Sequence, residues 1–343
     1  MMQPDFKSMS YEALEEYFES IGEKKYRAGQ VFRWLYRGAE SFDDMSDLSA
    51  GLRDKLKESA GICPLSVIDR KVSKLDGTRK YLFKLHDGYT IESVFMKYKF
   101  GNSICISSQA GCRMGCIFCA SGKNGFSRDL TAGEMADQVI QVQKDANEKI
   151  GHVVVMGVGE PFENYDNMSG FIQNINDKRG LNIGMRSITV STCGIVPKIK
   201  SFSADFPQAN LAVSLHASNE ALRKELMPVA GKQKYSELMA ACLEYTKKTG
   251  RRITFEYVLI RGKNDGASLA DELASNLSGM LCHVNLIPLN NVPETRLFPC
   301  TKDNAERFAE KLERKGVAAT IRREMGGDIG AACGQLRLSK IGS

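Results

Sequence analysis

Three cysteines spaced Cys112-x-x-x-Cys116-x-x-Cys119 follow a short apolar run in this 343-residue chain. Thiolates at that spacing can hold three irons of a cubane [4Fe–4S] cluster and leave the fourth without a protein ligand. Four-cysteine ligation suits simple electron transfer, whereas a vacant corner can bind a small molecule. The competing reading is a structural zinc, which needs four protein ligands. Cys105 is the only local candidate for the fourth, and the next histidine downstream is His152. A further thiol, Cys333, lies in GDIGAACGQL with Gly326, Gly327, Gly330 and Gly334 around it. Glycines relax the backbone and would let that thiol swing toward a bound ligand. The plainer alternative is a small buried cysteine.

The chain that must position these thiols reads as an α/β protein. Ser10 can cap a helix over YEALEEYFESI that stops at Gly22, and a second helix is expected over Lys25 to Arg37, a third from about Ser46 to Ala60. At Pro64 the period changes to that of a β-meander, with Asp76-Gly77 and Asp87-Gly88 as turns. From Ser103 strands and helices alternate, the pattern of a parallel β/α architecture. Strands are expected at Ile104–Ser108, His152–Met156, Ser187–Thr192, Leu211–Ser214, Ile253–Leu259 and His283–Pro288, and Thr131 with Glu134 forms a capping box for the first helix between them. Six βα units imply a partial (β/α)6 barrel, open on one side, with its chemistry at the carboxyl ends of the strands. Period two puts Ile104 and Ile106 on one face of the first strand and Cys105 on the other, toward the lumen. The expected organisation is a helical module at 1–62, a meander extension at 63–98, and a core with a reactive-cysteine segment at 99–343.

Composition sets outer bounds. A chain of this length can form one large barrel domain plus a smaller appendage, and 43% hydrophobic content is ordinary for a globular protein. No run of eighteen apolar residues exists, and the N-terminus lacks an apolar signal core, so a cytoplasmic protein without membrane association is expected. Ten cysteines without a signal peptide then read as metal and redox chemistry, not a disulfide framework. The net charge of +6 is uneven. Residues 24–37 hold Lys24, Lys25, Arg27, Arg33 and Arg37 with no acidic residue, interleaved with Tyr26, Trp34 and Tyr36. A second basic stretch, 69–84, holds Arg70, Lys71, Lys74, Arg79, Lys80 and Lys84 against Asp69 and Asp76. Such stretches can neutralise phosphates and stack bases, or serve as solvated faces over core side chains such as Phe32 and Leu35.

The three-cysteine motif resembles that of the radical S-adenosylmethionine (SAM) superfamily, whose open iron chelates the methionine end of SAM. Taken with CISSQAGCRMGCIFC, MGVGEP, VSTCGIVP, SLHASN, NLIPLN and DIGAACGQL, and with KKYRAGQVFRWLY and LDGTRKYLFKL, the chain closely resembles the RlmN branch of the RlmN/Cfr RNA methyltransferases over nearly its whole length. The resemblance implies methylation of adenine C2, at adenosine 2503 of 23S ribosomal RNA and adenosine 37 of certain tRNAs. It implies one [4Fe–4S] cluster per chain on Cys112, Cys116 and Cys119, and SAM as methyl donor and radical source. Cys333 matches the methyl-accepting cysteine, Cys105 the resolving cysteine that forms a transient disulfide with it, and Glu92 the proton acceptor. Gly159, Glu160, Ser191, Ser214, Leu215, His216 and Asn290 match the SAM contacts. Flavodoxin or ferredoxin is the implied electron donor, and a monomer is expected. The Cfr branch, which methylates adenine C8, shares all five of these cysteines. It typically reads GEA where this chain has Glu160-Pro161. Asn291 stands where the family often has proline. Cys63, Cys193, Cys242, Cys282 and Cys300 receive no role.

Overall fold

In the computed structural model, which describes residues 4–290, 295–337 and 339–340, the elements run as follows. Helices α1 (Tyr11–Ser20), α2 (Tyr26–Tyr36) and α3 (Ala50–Ser59) precede strands β1 (Ser66–Val72), β2 (Arg79–Lys84), β3 (Tyr89–Tyr98) and β4 (Gly101–Ile106). A short hairpin, β5 (Gln109–Gly111) with β6 (Phe126–Asp129), leads to α4 (Ala132–Ala146). Alternation follows: β7 (His152–Val155), α5 (Tyr165–Asn176), β8 (Ile188–Thr192), α6 (Val196–Asp205), β9 (Asn210–Ser214), α7 (Glu220–Leu226), α8 (Tyr235–Thr249) and β10 (Ile253–Leu259). The chain finishes with α9 (Ala267–Leu277), β11 (Cys282–Pro288), α10 (Lys302–Arg314), β12 (Ala319–Ile321) and β13 (Ser339–Lys340).

The caps expected from sequence are made. Ser10 accepts the Ala13 amide, and Thr131 and Glu134 form a reciprocal capping box on α4. The third helix begins four residues later than expected, because Ser49 is its cap and accepts the Leu52 amide. Asp47 is spent elsewhere: its carboxylate takes the Trp34 indole Nε1–H at 2.6 Å and the Gln30 amide at 3.1 Å.

One continuous sheet carries both the meander and the βα units, in the order β1-β2-β3-β4-β7-β8-β9-β10-β11-β12, with β13 added to β3. Pairs up to β3–β4 are antiparallel, and from β4–β7 onward every pair is parallel. The parallel run has one strand more than the six expected, β12, and it does not close into a barrel: β1 and β12 are its edges. Ile104 and Ile106 are wholly buried in the main core with Val153, Val155, Val190 and Phe255, while Cys105 belongs to a separate apolar group with Val94, Met96, Val158 and Leu336 on the other face. That division follows from strand alternation.

The helical N-terminus docks on α4. Lys7 and Asp137 form an ion pair at 2.5 Å with 1% and 0% of their side chains exposed, and the second Asp137 oxygen accepts the Leu65 amide at 2.6 Å. Gly133 is required at this contact, since a Cβ there would sit 2.6 Å from the Asp5 carboxylate. Among the described residues no helix is long and apolar enough to cross a membrane.

Candidate active site

The cluster loop is framed by the β5–β6 hairpin. Gly111 has φ +87°, and a Cβ there would stand 2.1 Å from the Gly125 carbonyl oxygen, which accepts the Cys112 amide at 2.9 Å. Only glycine allows the two arms of the loop to meet so closely. Farther along, the Ile117 amide donates to the Leu226 carbonyl at the end of α7, at 3.1 Å. Cys112, Cys116 and Cys119 are thereby turned into an open cleft of about 950 Å³, whose apolar wall includes Met114, Phe118, Met227, Val258 and Leu289. Burial pushes the Cys112 thiol up to about 12 and that of Cys116 well above its ordinary value, and repulsion among the three sulfurs adds to both. Thiols held this way deprotonate only opposite a cationic centre. The chemistry of the donor set, three thiols lining one cleft, fits a cluster in which each thiolate would hold its own iron.

The remaining wall of the cleft comes from the carboxyl ends of the parallel strands. Gly159 (φ +112°) lies where a Cβ would come within 2.6 Å of Gln109 Cβ and 2.7 Å of Ser108 Oγ, so the turn packs directly on the preceding strand exit. Glu160 is 3% exposed, accepting the Cys193 amide at 2.6 Å and the Phe162 amide at 3.0 Å, and burial raises its pKa. A buried carboxylate of this kind is ready to receive an ammonium group. Ser191, Ser214, His216 and Asn290 also line the cleft. His216 holds a left-handed backbone (φ +56°), accepts the Val258 amide through Nδ1 at 3.0 Å and meets Phe118 edge to face at 4.8 Å. Burial drops its pKa to about 3, so the imidazole is neutral. Leu215 differs from its neighbours: its side chain is fully buried in the main core, and only its backbone belongs to this rim.

Cys105 and Cys333 face a common second cavity, continuous in its lining with the first through Cys119, Asn290, Arg322 and Cys333. The C-terminal segment is tied down at several points. Asn290 Nδ2 donates to the Cys333 carbonyl at 2.9 Å, the Ala120 amide to the Gly334 carbonyl at 2.8 Å, and Ser121 Oγ to the Leu336 carbonyl at 2.9 Å. No disulfide joins any of the ten cysteines, so the Cys105–Cys333 bond implied by the resemblance is not a standing bond of the fold. Burial pushes the Cys105 thiol up to about 12, and a neighbouring Cys333 thiolate would raise it further. Glu92 is outside both cavity linings. Its carboxylate pairs with Lys80 Nζ at 3.0 Å and accepts the Arg337 amide at 2.8 Å, on the same face of β3 as Val94 and Met96, which do line the second cavity.

Two basic side chains were invisible to motif reasoning. Arg322, just past β12, lines both cavities, lies 3.9 Å from the Glu256 carboxylate, and lowers the Cys105 thiol against the upward pull of burial. Arg223, on α7, is buried beside Cys193 and Cys116. Cys193, given no role from sequence, lines the first cleft with its sulfur 3.4 Å from Met114 Sδ. No local pattern marks these residues, because helix and strand packing alone brings them to the thiols. Asn291 lies outside the described residues.

In the basic stretch 24–37, Phe32, Leu35 and Tyr36 are core and Trp34 is held by Asp47, whereas Tyr26 stays 55% exposed with the Arg27 guanidinium 4.9 Å from its ring centre. In the second basic stretch, Arg70 is paired with Asp145 at 2.8 Å.

Comparison with known proteins agrees with this geometry. Residues 5–62 match the family described as ribosomal RNA large subunit methyltransferase N-terminal domain, and residues 106–272 match the radical SAM superfamily. A probable dual-specificity RNA methyltransferase RlmN from Lachnospira eligens is 52% identical over 334 residues, 97% of this chain and 95% of that protein. One of the same description from Lysinibacillus sphaericus is 51% identical over 328 residues, 94% of this chain and 86% of that protein. The crystal structure of a radical SAM methyltransferase from Sphaerobacter thermophilus superposes with a TM-score of 0.92 at 43% identity, covering 97% of this chain and 99% of that one.

Proposed function

The chain belongs to the RlmN family of dual-specificity radical SAM RNA methyltransferases, and from that premise we propose that it methylates C2 of adenosine at position 2503 of 23S ribosomal RNA and position 37 of tRNA. The observation that carries the reading is the shared cavity: Cys105 and Cys333 line one space that opens into the three-cysteine cleft.

Adenine C2 is an electron-poor amidine carbon and does not attack a sulfonium methyl. A thiolate does, and so the methyl group goes first to the Cys333 sulfur, forming an S–CH3 bond as the donor's C–S bond breaks. Cys112, Cys116 and Cys119 would hold the [4Fe–4S] cluster. Glu160, with Gly159 giving close backbone approach, would hold the methionine ammonium of SAM, and Ser191, Ser214, the Leu215 backbone, His216 and Asn290 would hold its remainder. When bound, the cluster and SAM supply a 5′-deoxyadenosyl radical able to take a hydrogen atom from the Cys333 methyl group. The carbon radical left on Cys333 adds to C2, giving a covalent bond between protein and base and an unpaired electron on the ring, which would leave to a one-electron acceptor, a role the oxidised cluster could fill when bound. Glu92 is the proposed acceptor of the C2 proton. Its place on the same face of β3 as Val94 and Met96, paired with Lys80 and accepting the Arg337 amide, supports this. Cys105, as its thiolate, then attacks the Cys333 sulfur, breaking the carbon–sulfur bond to the base as the departing methylene carbon takes up a proton to become methyl, and leaving a Cys105–Cys333 disulfide that an external thiol reduces.

Residues 1–62 are the proposed RNA-contacting module, with exposed Lys24 and Tyr26 available to phosphate and base. The target adenosine would leave its stack to reach the cleft, and flavodoxin or ferredoxin would deliver the electron. The test is methylation of 23S rRNA and tRNA by reconstituted enzyme with SAM and reductant, followed by nucleoside analysis using C2- or C8-deuterated adenosine. Loss of label from C2 is expected. Loss from C8 would move the chain's chemistry to the Cfr type, and zinc without iron or sulfide after reconstitution would end the radical reading.

A further inference from the structure

Arg223 is a buried cation with no carboxylate ion-pair partner among the described residues. Its side chain is 2% exposed, on the short helix that receives the cluster loop through the Leu226 carbonyl. Nη2 donates to the carbonyl of Cys193 and, at 3.4 Å, to that of Ser214, at the exits of β8 and β9. Nε has no hydrogen-bond acceptor. The groups acting most strongly on its charge are Cys193, Tyr235, Cys116 and Cys242, none of them a carboxylate. The space is reserved: Gly194 holds φ +103°, and a Cβ there would stand 3.4 Å from Nη2 and 2.8 Å from Leu238.

A guanidinium cannot shed its proton to escape burial, as a lysine can. An isolated buried charge is costly, and it is retained where a counter-charge comes to meet it. The adjacent three-cysteine site supplies one. A [4Fe–4S] centre on three thiolates carries about one negative charge when oxidised and about two after taking up an electron, and net charge and burial are main determinants of its potential. Because the second negative charge appears only on reduction, a fixed neighbouring cation stabilises the reduced form more than the oxidised form.

We infer that Arg223 is the built-in counter-charge of the cluster and raises its reduction potential, so that one electron from a low-potential carrier enters more readily. The inference rests on the cluster assignment proposed above. Arg223 is on this view a positioning residue that acts through the cluster and touches neither RNA nor SAM.

The test is an anaerobic dithionite titration of full-length reconstituted enzyme, followed by electron paramagnetic resonance, after iron and sulfide are counted. Wild type, Arg223→Gln and Arg223→Lys are compared. Arg223→Gln keeps a donor for the Cys193 carbonyl and removes the charge. It is expected to load iron normally and, at the wild-type midpoint, to show a ratio of reduced to oxidised cluster about tenfold smaller, which is about 59 mV for one electron. Arg223→Lys is expected to lie near wild type at neutral pH and to fall toward Arg223→Gln as alkali removes the ammonium proton. Wild type should stay flat over the same range. Equal midpoints in all three proteins, or equal shifts in both variants, would overturn the inference. Should Arg223→Gln fail to fold, the pH profile of Arg223→Lys decides alone, and a profile as flat as wild type counts against it. Wild type that takes up no cluster would remove the underlying assignment, an outcome visible in the iron count before any potential is measured.

Discussion

Cys105 should be a slow thiol in the resting enzyme, and its slowness can be calculated. An ordinary cysteine thiol has a pKa of 9.0, whereas burial pushes that of Cys105 up to about 12. At about pH 8 an ordinary thiol is roughly one-tenth thiolate and Cys105 about one ten-thousandth, a deficit of about a thousandfold. The more basic thiolate is the better nucleophile, and a Brønsted coefficient of about 0.45 returns a factor of roughly 20. The net expectation is exchange with a small disulfide about 40-fold slower than that of a free thiol. Steric burial, with 9% of the residue exposed, slows it further. The perturbation is a pH series from about 7 to 11 on cluster-loaded protein. A small aromatic disulfide is the probe, and modification at Cys105 is resolved by peptide mass spectrometry. The rate should climb steadily through pH 9 without levelling, and Arg322→Gln should slow it again, because that guanidinium pulls the Cys105 thiol downward. A rate equal to that of a free thiol, or a plateau near pH 9, would refute the reasoning.

Further outcomes follow from the same geometry. Cys333→Ala should abolish methyl transfer while iron and sulfide content stays at wild-type level, and Cys105→Ala should accumulate a protein–RNA adduct that survives a denaturing gel; ordinary turnover in either variant removes that thiol from the scheme. Gly159→Ala should cost roughly 1–3 kcal/mol from its positive φ alone, more with the 2.6 Å approach to Gln109, and should weaken SAM binding; an unchanged Tm with unchanged calorimetric affinity would contradict the packing described. His216 is neutral in the fold, with a pKa lowered to about 3 against 6.5 when unfolded. Below about pH 6.5 the unfolded chain therefore binds the extra proton, and stability present at neutral pH falls by about 1.4 kcal/mol per pH unit as pH drops toward 3. His216→Asn, which keeps an acceptor for the Val258 amide and tolerates the left-handed backbone, should flatten that slope in urea melts; an equally steep variant would place the acid sensitivity elsewhere.

Local chemistry made much of the molecule legible in sequence. Ser10, Thr131 and Glu134 announce their helices because capping is a contact between near neighbours, and Cys105 is assigned its face because strand alternation is a property of adjacent residues. The cluster motif is equally local. The β5–β6 hairpin that frames it spans only three and four residues, too few for a periodic signal, and β12 is three residues long. The start of α3 lies later than spacing suggests because Ser49 caps it, a choice among nearby polar residues that spacing cannot rank. Leu215 lies within a motif of cleft residues, but it buries its side chain in the core because its neighbours on the strand exit point the other way. Arg322 and Arg223 were silent because nothing nearby in the chain distinguishes them from surface arginines. Only the assembled sheet and α7 bring them to sulfur.

The Ser121–Leu336 hydrogen bond joins residues 215 positions apart, and with the Ala120–Gly334 contact it makes a segment far along the chain a wall of the loop that carries Cys112, Cys116 and Cys119. On the ribosome that loop emerges long before its wall exists. A nascent chain would therefore leave that side of the loop open until residues 334–336 have been made and packed. A chain cut short before residue 334 would, for the same reason, leave that loop without one of its walls.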